Sequence, residues 1–163
     1  MPKQEIYKIF PKLQFDKSFY ISSKPNINYN CIAWVGITDN EFWWPEVEPY
    51  NKLDGVKYKW PFKIKNSDDL KYFIELFSNL GYKEVSNNIK NEHPKYRKIA
   101  LFIKEDKNIS DINNCKCTHA ARQLTNGLWA SKLGRKDDIE HSNPYDLEGS
   151  AYGKLAIILK KKL

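Results

Sequence analysis

Apolar and polar positions change their period along the chain, giving helical signals in its first half and strand signals in its second. Asn66-Ser67-Asp68-Asp69 offers capping side chains and first-turn acids, and Leu70, Phe73, Ile74, Phe77 and Leu80 then recur every three or four residues up to Gly81. That spacing predicts a helix with one buried face. Aromatic residues in such a stripe serve as core. Over 98–105 the period falls to two, with Ile99, Leu101 and Ile103 on one side and Ala100 and Phe102 on the other, as in a strand covered on both faces. Segments 115–124 and 128–133 flank Thr125-Asn126-Gly127, a tight-hairpin signal. Ser142-Asn143-Pro144 can open a short helix ending near Gly149, and 152–160 gives a last strand through Leu155, Ile157 and Leu159.

The first 28 residues hold no sustained period. They are expected to lie as an irregular arm anchored by Phe10, Leu13, Phe15 and Phe19, leaving 29–163 as a single domain. Asn30 suits the N-cap of a short helix over 31–37, which places Cys31 in its first turn. An aromatic loop with Phe42, Trp43 and Trp44 follows, and then an irregular stretch punctuated by Pro49, Gly55 and Pro61. Helices followed by mostly antiparallel strands make an α+β fold.

Composition narrows the class. At 163 residues, 41% hydrophobic and 14% aromatic, the chain has the size and core of one globular domain. It contains no apolar run near the roughly 20 residues of a membrane span and opens on no signal-peptide core, so a cytoplasmic protein without a membrane partner is expected. Three cysteines make a poor disulfide framework and suit a reducing compartment. The net charge of +7 raises nucleic acid as a partner, but the lysines are scattered. Lys160-Lys161-Lys162 is the one run and reads as a solvated tail. Nucleic acid is therefore not the expected partner.

One pairing carries candidate chemistry. A thiol at a helix N-terminus is favoured as thiolate, and an imidazole elsewhere in the chain can take its proton and later return it to a leaving group, so Cys31 and His119 have the order that a cysteine hydrolase needs. Position 131 lies twelve residues after His119 and across the hairpin, where a side chain can face the same way as the imidazole. Its occupant is Ser131, the candidate orienting group, and alternation sends Lys132 to the opposite face.

Asn30-Cys31-Ile32-Ala33-Trp34 resembles the Asp-Cys-Ser-Gly-Leu segment that opens the catalytic helix of NlpC-type, papain-like cysteine peptidases. The run from His119 to Gly127 resembles their His-Val-Gly-Ile-Tyr hairpin with its Asn-Gly turn, whose third catalytic residue also follows twelve after the His. The resemblance implies a papain-like core with Cys31, His119 and Ser131 as catalytic residues, a peptide or other acyl substrate, and no cofactor. Ile32 and Ala33 stand where that family has Ser-Gly, and Ser131 where it has His, Asn or Gln. The chain also resembles small bacterial domains of unassigned function that carry Asn-Cys-Ile-Ala-Trp, His-Ala-Ala-Arg-Gln-Leu, Trp-x-Ser-Lys-Leu-Gly and Ile-Glu-His.

Further candidates to orient groups or contact substrate are Asn30, Trp34, Gln123, Trp129, Lys132, Glu140 and His141. Glu140 is a reserve orienter for His119, although 137–141 also reads as a polar turn before Pro144. Cys115, Cys117 and His119 alternate on one side of a regular strand, but ligands 6 to 7 Å apart are too widely spaced for one tetrahedral zinc ion, and no metal is expected. The competing reading of the whole chain is a non-catalytic protein-interaction module on the same fold, partner to a toxin or defence component, using a basic and aromatic surface.

Overall fold

The computed structural model describes residues 2–23, 30–36, 42–45, 58–133 and 137–163. Seven antiparallel strands form one sheet in the order β1-β8-β7-β6-β5-β9-β4, comprising β1 Tyr20–Ser23, β4 Glu84–Ser86, β5 Tyr96–Lys104, β6 Lys116–Gln123, β7 Trp129–Lys132, β8 Asp138–His141 and β9 Lys154–Lys162. Helices α2 Cys31–Val35 and α3 Leu70–Asn79 cover one face, and α1 Lys3–Ile9 with the 3-10 turns Pro11–Phe15 and Pro144–Leu147 covers the other. Two further strands, β2 Phe42–Trp43 and β3 Tyr58–Lys59, pair in parallel outside this sheet. The architecture is α+β, with far more sheet than helix.

Strand alternation divides the core. Ile99, Leu101, Ile103, Ala120 and Leu159 pack with α2 and α3, whereas Ala100, Phe102, Ala121, Trp129, Ile139 and Ile158 pack under the N-terminal arm. Helix α3 buries Leu70, Phe73, Leu76 and Phe77, and Trp44 meets Phe73 edge-on at 5.2 Å. Its first turn is held by main chain rather than by the expected capping side chains, with Leu70 N donating to Cys115 O at 2.8 Å and Cys117 N to Asp68 O at 2.8 Å.

Several expectations need correction. The arm is ordered over its described part, because Ile6, Phe10 and Leu13 fall at helical spacing and Tyr20 and Ile21 pair with Glu140 and Ile139; Phe15 is not an anchor and is 80% exposed. Residues 137–141 are not a turn, since Ile139 and His141 point into the core and Asp138–His141 pairs on both sides, with β1 and β7. Lys160 and Lys161 are not a loose tail. Both lie in β9, opposite Lys98 and Arg97. Helix α2 ends at Val35, and Gly36 follows where any Cβ would stand 2.4 Å from the Trp43 ring; Ile37 lies outside the described residues.

Candidate functional site

Asn30 fixes the start of α2. Its Oδ1 accepts from Ala33 N and Trp43 N, each at 3.1 Å, while its Nδ2 donates to Trp43 O at 2.8 Å. Cys31 is therefore held at the first helical position, as expected. It is only 7% exposed and packs with Ala120 and Cys117. Burial pushes its thiol up to about 11, against the opposing pull of the Ala120 backbone N–H and the Lys132 charge.

His119 faces elsewhere. The β5–β6 register steps from Phe102 opposite His119 to Ile103 opposite Cys117, so Thr118 is the extra residue of a bulge. The regular alternation expected for Cys117 and His119 is broken there, and the candidate zinc row with it: Cys117 joins the α2 side, whereas His119 stacks on Tyr152 at 4.0 Å and leans on Phe102 at 5.4 Å, rings of the arm side. Among the described residues no group of three or more His, Cys, Asp or Glu is placed to hold a metal ion. Among the described residues neither ring nitrogen of His119 has a hydrogen-bond partner. Burial, with a smaller contribution from His141, brings its pKa down to about 3.

Ser131 is fully buried, and its Oγ lies 3.0 Å from His141 Nε2. His141 Nδ1 lies 3.0 Å from Asn143 O, a carbonyl that can only accept, so Nδ1 carries the proton and Nε2 accepts from the serine hydroxyl. Ser131 thus orients His141, and the expected bond to His119 is replaced. Burial lowers His141 to about 4, against the Asn143 carbonyl and Asp16. Glu140 is not a reserve orienter for His119 either, because strand alternation turns it to the face opposite His141 and the His119 ring, where it accepts a hydrogen bond from the Tyr20 hydroxyl.

The remaining candidates have structural partners. Gln123 Nε2 donates to Ile89 O at 2.9 Å, tying the hairpin strand to the preceding loop, and Trp129 lies wholly within the arm-side core. Trp34 receives the Arg122 guanidinium 4.3 Å from its ring centre, and Arg122 Nη1 donates to Trp34 O at 3.3 Å. Lys132 does face away from Ser131, as alternation requires. It is fully buried on the Cys31 side, 3.7 Å from Asp138 Oδ1.

Tyr152, the ring that covers His119, was not legible as a site residue, because its position depends on the chain returning over the sheet before β9 begins. A like-charge register was legible in part: Arg97 and Lys161 occupy matching ends of two strands, yet only the observed pairing sets them face to face.

The family described as Domain of unknown function (DUF7689) matches residues 20–160. No curated protein and no solved structure matches the chain.

Proposed function

The chain belongs to the DUF7689 family, domains of unknown function, and from its own side chains we propose that it is a binding module, with Cys31 and His119 at rest as neutral, sealed groups. One observation carries this reading: Cys31 packs on the α2 side of the sheet, whereas the bulge at Thr118 turns His119 onto Phe102 and Tyr152 on the arm side. Burial drives both groups to the uncharged form, raising the Cys31 thiol to about 11 and lowering the His119 imidazole to about 3. Among the described residues no hydrogen bond joins the two groups. The balance stays strongly on the neutral side.

A second reading is favoured by the two unpartnered nitrogens of His119, since buried polar atoms are nearly always satisfied and an exception invites a functional explanation. In it the domain is a cysteine hydrolase acting on a peptide, amide or related acyl group. His119 takes the Sγ proton as Cys31 attacks the acyl carbon, gives that proton to the leaving group, and then activates the water that cleaves the thioester. His119 would first have to turn from Tyr152 towards Cys31, whose sulfur already meets the backbone N–H of the adjacent Ala120.

Iodoacetamide labelling near neutral pH, read by mass spectrometry, separates the two. A thiol of pKa about 11 is ionised in only about one molecule in ten thousand at pH 7. The module reading therefore expects Cys31 to label as slowly as Cys117, unchanged by His119→Ala. Fast, selective labelling of Cys31 that His119→Ala slows would overturn the sealed pair and favour the hydrolase reading instead.

A further inference from the structure

Strands β5 and β9 set like charges directly opposite one another, Lys98 facing Lys160 and Arg97 facing Lys161, an arrangement that destabilises a sheet unless anions intervene. On the arm side the chain supplies them. Lys98 Nζ lies 2.7 Å from Glu92 Oε2 and 2.8 Å from Asn88 Oδ1, and Lys160 Nζ lies 4.0 Å from Glu84 Oε2. On the helix side, among the described residues, no carboxylate lies within ion-pairing distance of Arg97 or Lys161.

A third cation joins them. Arg122 pairs with Ile99, two positions along β5 from Arg97 and on the same face, and it too has no carboxylate within ion-pairing distance among the described residues. Its guanidinium is immobilised on the Trp34 ring and carbonyl. Burial and then the nearby Arg97 charge hold its pKa below the usual value. Between the cations stands buried Tyr82, whose hydroxyl feels both guanidinium groups and whose ring centre lies 5.9 Å from Lys161 Nζ. Three half-buried positive groups thus converge on one tyrosine, and among the described residues no carboxylate lies within ion-pairing distance of any of them.

We propose that Arg97, Arg122 and Lys161, grouped around Tyr82, bind a small oxyanion-bearing ligand, a phosphate or carboxylate compound of two or more negative charges. Guanidinium forks match such oxygens two at a time, and the lysine adds a compact charge from the neighbouring strand. The site stands on its own residues and does not depend on whether Cys31 is a nucleophile.

Calorimetric titration of the full chain with pyrophosphate and, separately, with citrate at fixed ionic strength tests this. Saturable one-to-one binding is expected for at least one of them, and binding by only one tells phosphate from carboxylate chemistry. Arg97→Gln and Lys161→Gln should each weaken it about tenfold, the loss of one charge-assisted hydrogen bond, while exposed Lys107→Gln leaves it unchanged. Both substitutions fall at half-buried positions, so either suffices if the other fails to fold. Absence of saturable binding to both probes, or equal binding by wild type and a folded variant, would overturn the site.

Discussion

Along β6, β7 and β8 the two faces of the sheet treat their buried polar groups in opposite ways. The α2 side keeps charge, with Lys132 against Asp138 and Arg122 against Trp34; the arm side keeps hydrogen-bonding groups in neutral form, with Ser131 on His141 and His119 between Tyr152 and Phe102. Lys132, Ser131, His119 and His141 are all fully buried and Arg122 is half-buried, so among the buried groups the difference lies in what each side chain can do about desolvation. A lysine can stay charged where a carboxylate meets it. An imidazole, whose ordinary pKa is close to neutrality, escapes the penalty by losing its proton.

The largest expected effect tests the charged face. Lys132→Met removes the ammonium but leaves Asp138 buried, and it should cost roughly 3 kcal/mol in urea unfolding at pH 7. Replacing both members, Lys132→Met with Asp138→Leu, should recover part of that loss, since the buried carboxylate that faced the ammonium goes with it. A single variant as stable as wild type would mean that this face does not rely on charge pairing, and the contrast would collapse.

The neutral face is read by pH. His119 is depressed in the fold to about 3 from an ordinary 6.5, so the unfolded chain binds the extra proton. Its contribution is complete above pH 6.5 and is lost as pH falls from there towards 3. At pH 5 the loss is about 2 kcal/mol, from 1.5 units at about 1.4 kcal/mol each. His141 acts in the same direction, from 6.5 down to about 4. Asp146 opposes them: burial and then Asp16 raise it to about 7, so its contribution is greatest in acid and is lost as pH rises through that value. A difference measurement removes the other groups. His119→Phe, measured against wild type at pH 7 and pH 5, should gain about 2 kcal/mol relative to wild type on acidification. An unchanged difference would show that His119 titrates freely and that the face is not sealed.

The division into faces was legible where alternation is regular. Ile99, Leu101 and Ile103 went to one side and Ala100 and Phe102 to the other, as period two requires, and Asn30 capped the helix beginning at Cys31. What misled was the assumption that period two continues through 115–124. The extra residue at Thr118 reverses the side on which Cys117 lies relative to His119, and no residue type there announces a bulge. The strand 138–141 was obscured for another reason: Asp138 and Glu140 supply a polar alternate whose partners, Lys132 and Tyr20, come from β7 and from the distant β1. The correct spacing between His119 and Ser131 therefore coexisted with the wrong pairing, because His141 on β8 takes the serine hydroxyl first.

The smallest effect decides that pairing directly. Ser131→Ala removes the hydroxyl donor to His141 Nε2 and should cost about 1 kcal/mol, the net worth of one buried hydrogen bond. The sharper readout is the imidazole itself. The Ser131 hydroxyl donates to the neutral ring and can turn to accept from the protonated one, so its loss should shift the His141 pKa from about 4. His119, which makes no bond to Ser131, should keep its own value. Proton NMR titration of the two rings in wild type and variant measures both. A shift at His119 with none at His141 would place the serine beside the wrong histidine, and would return Ser131 to the role that its spacing from His119 first suggested.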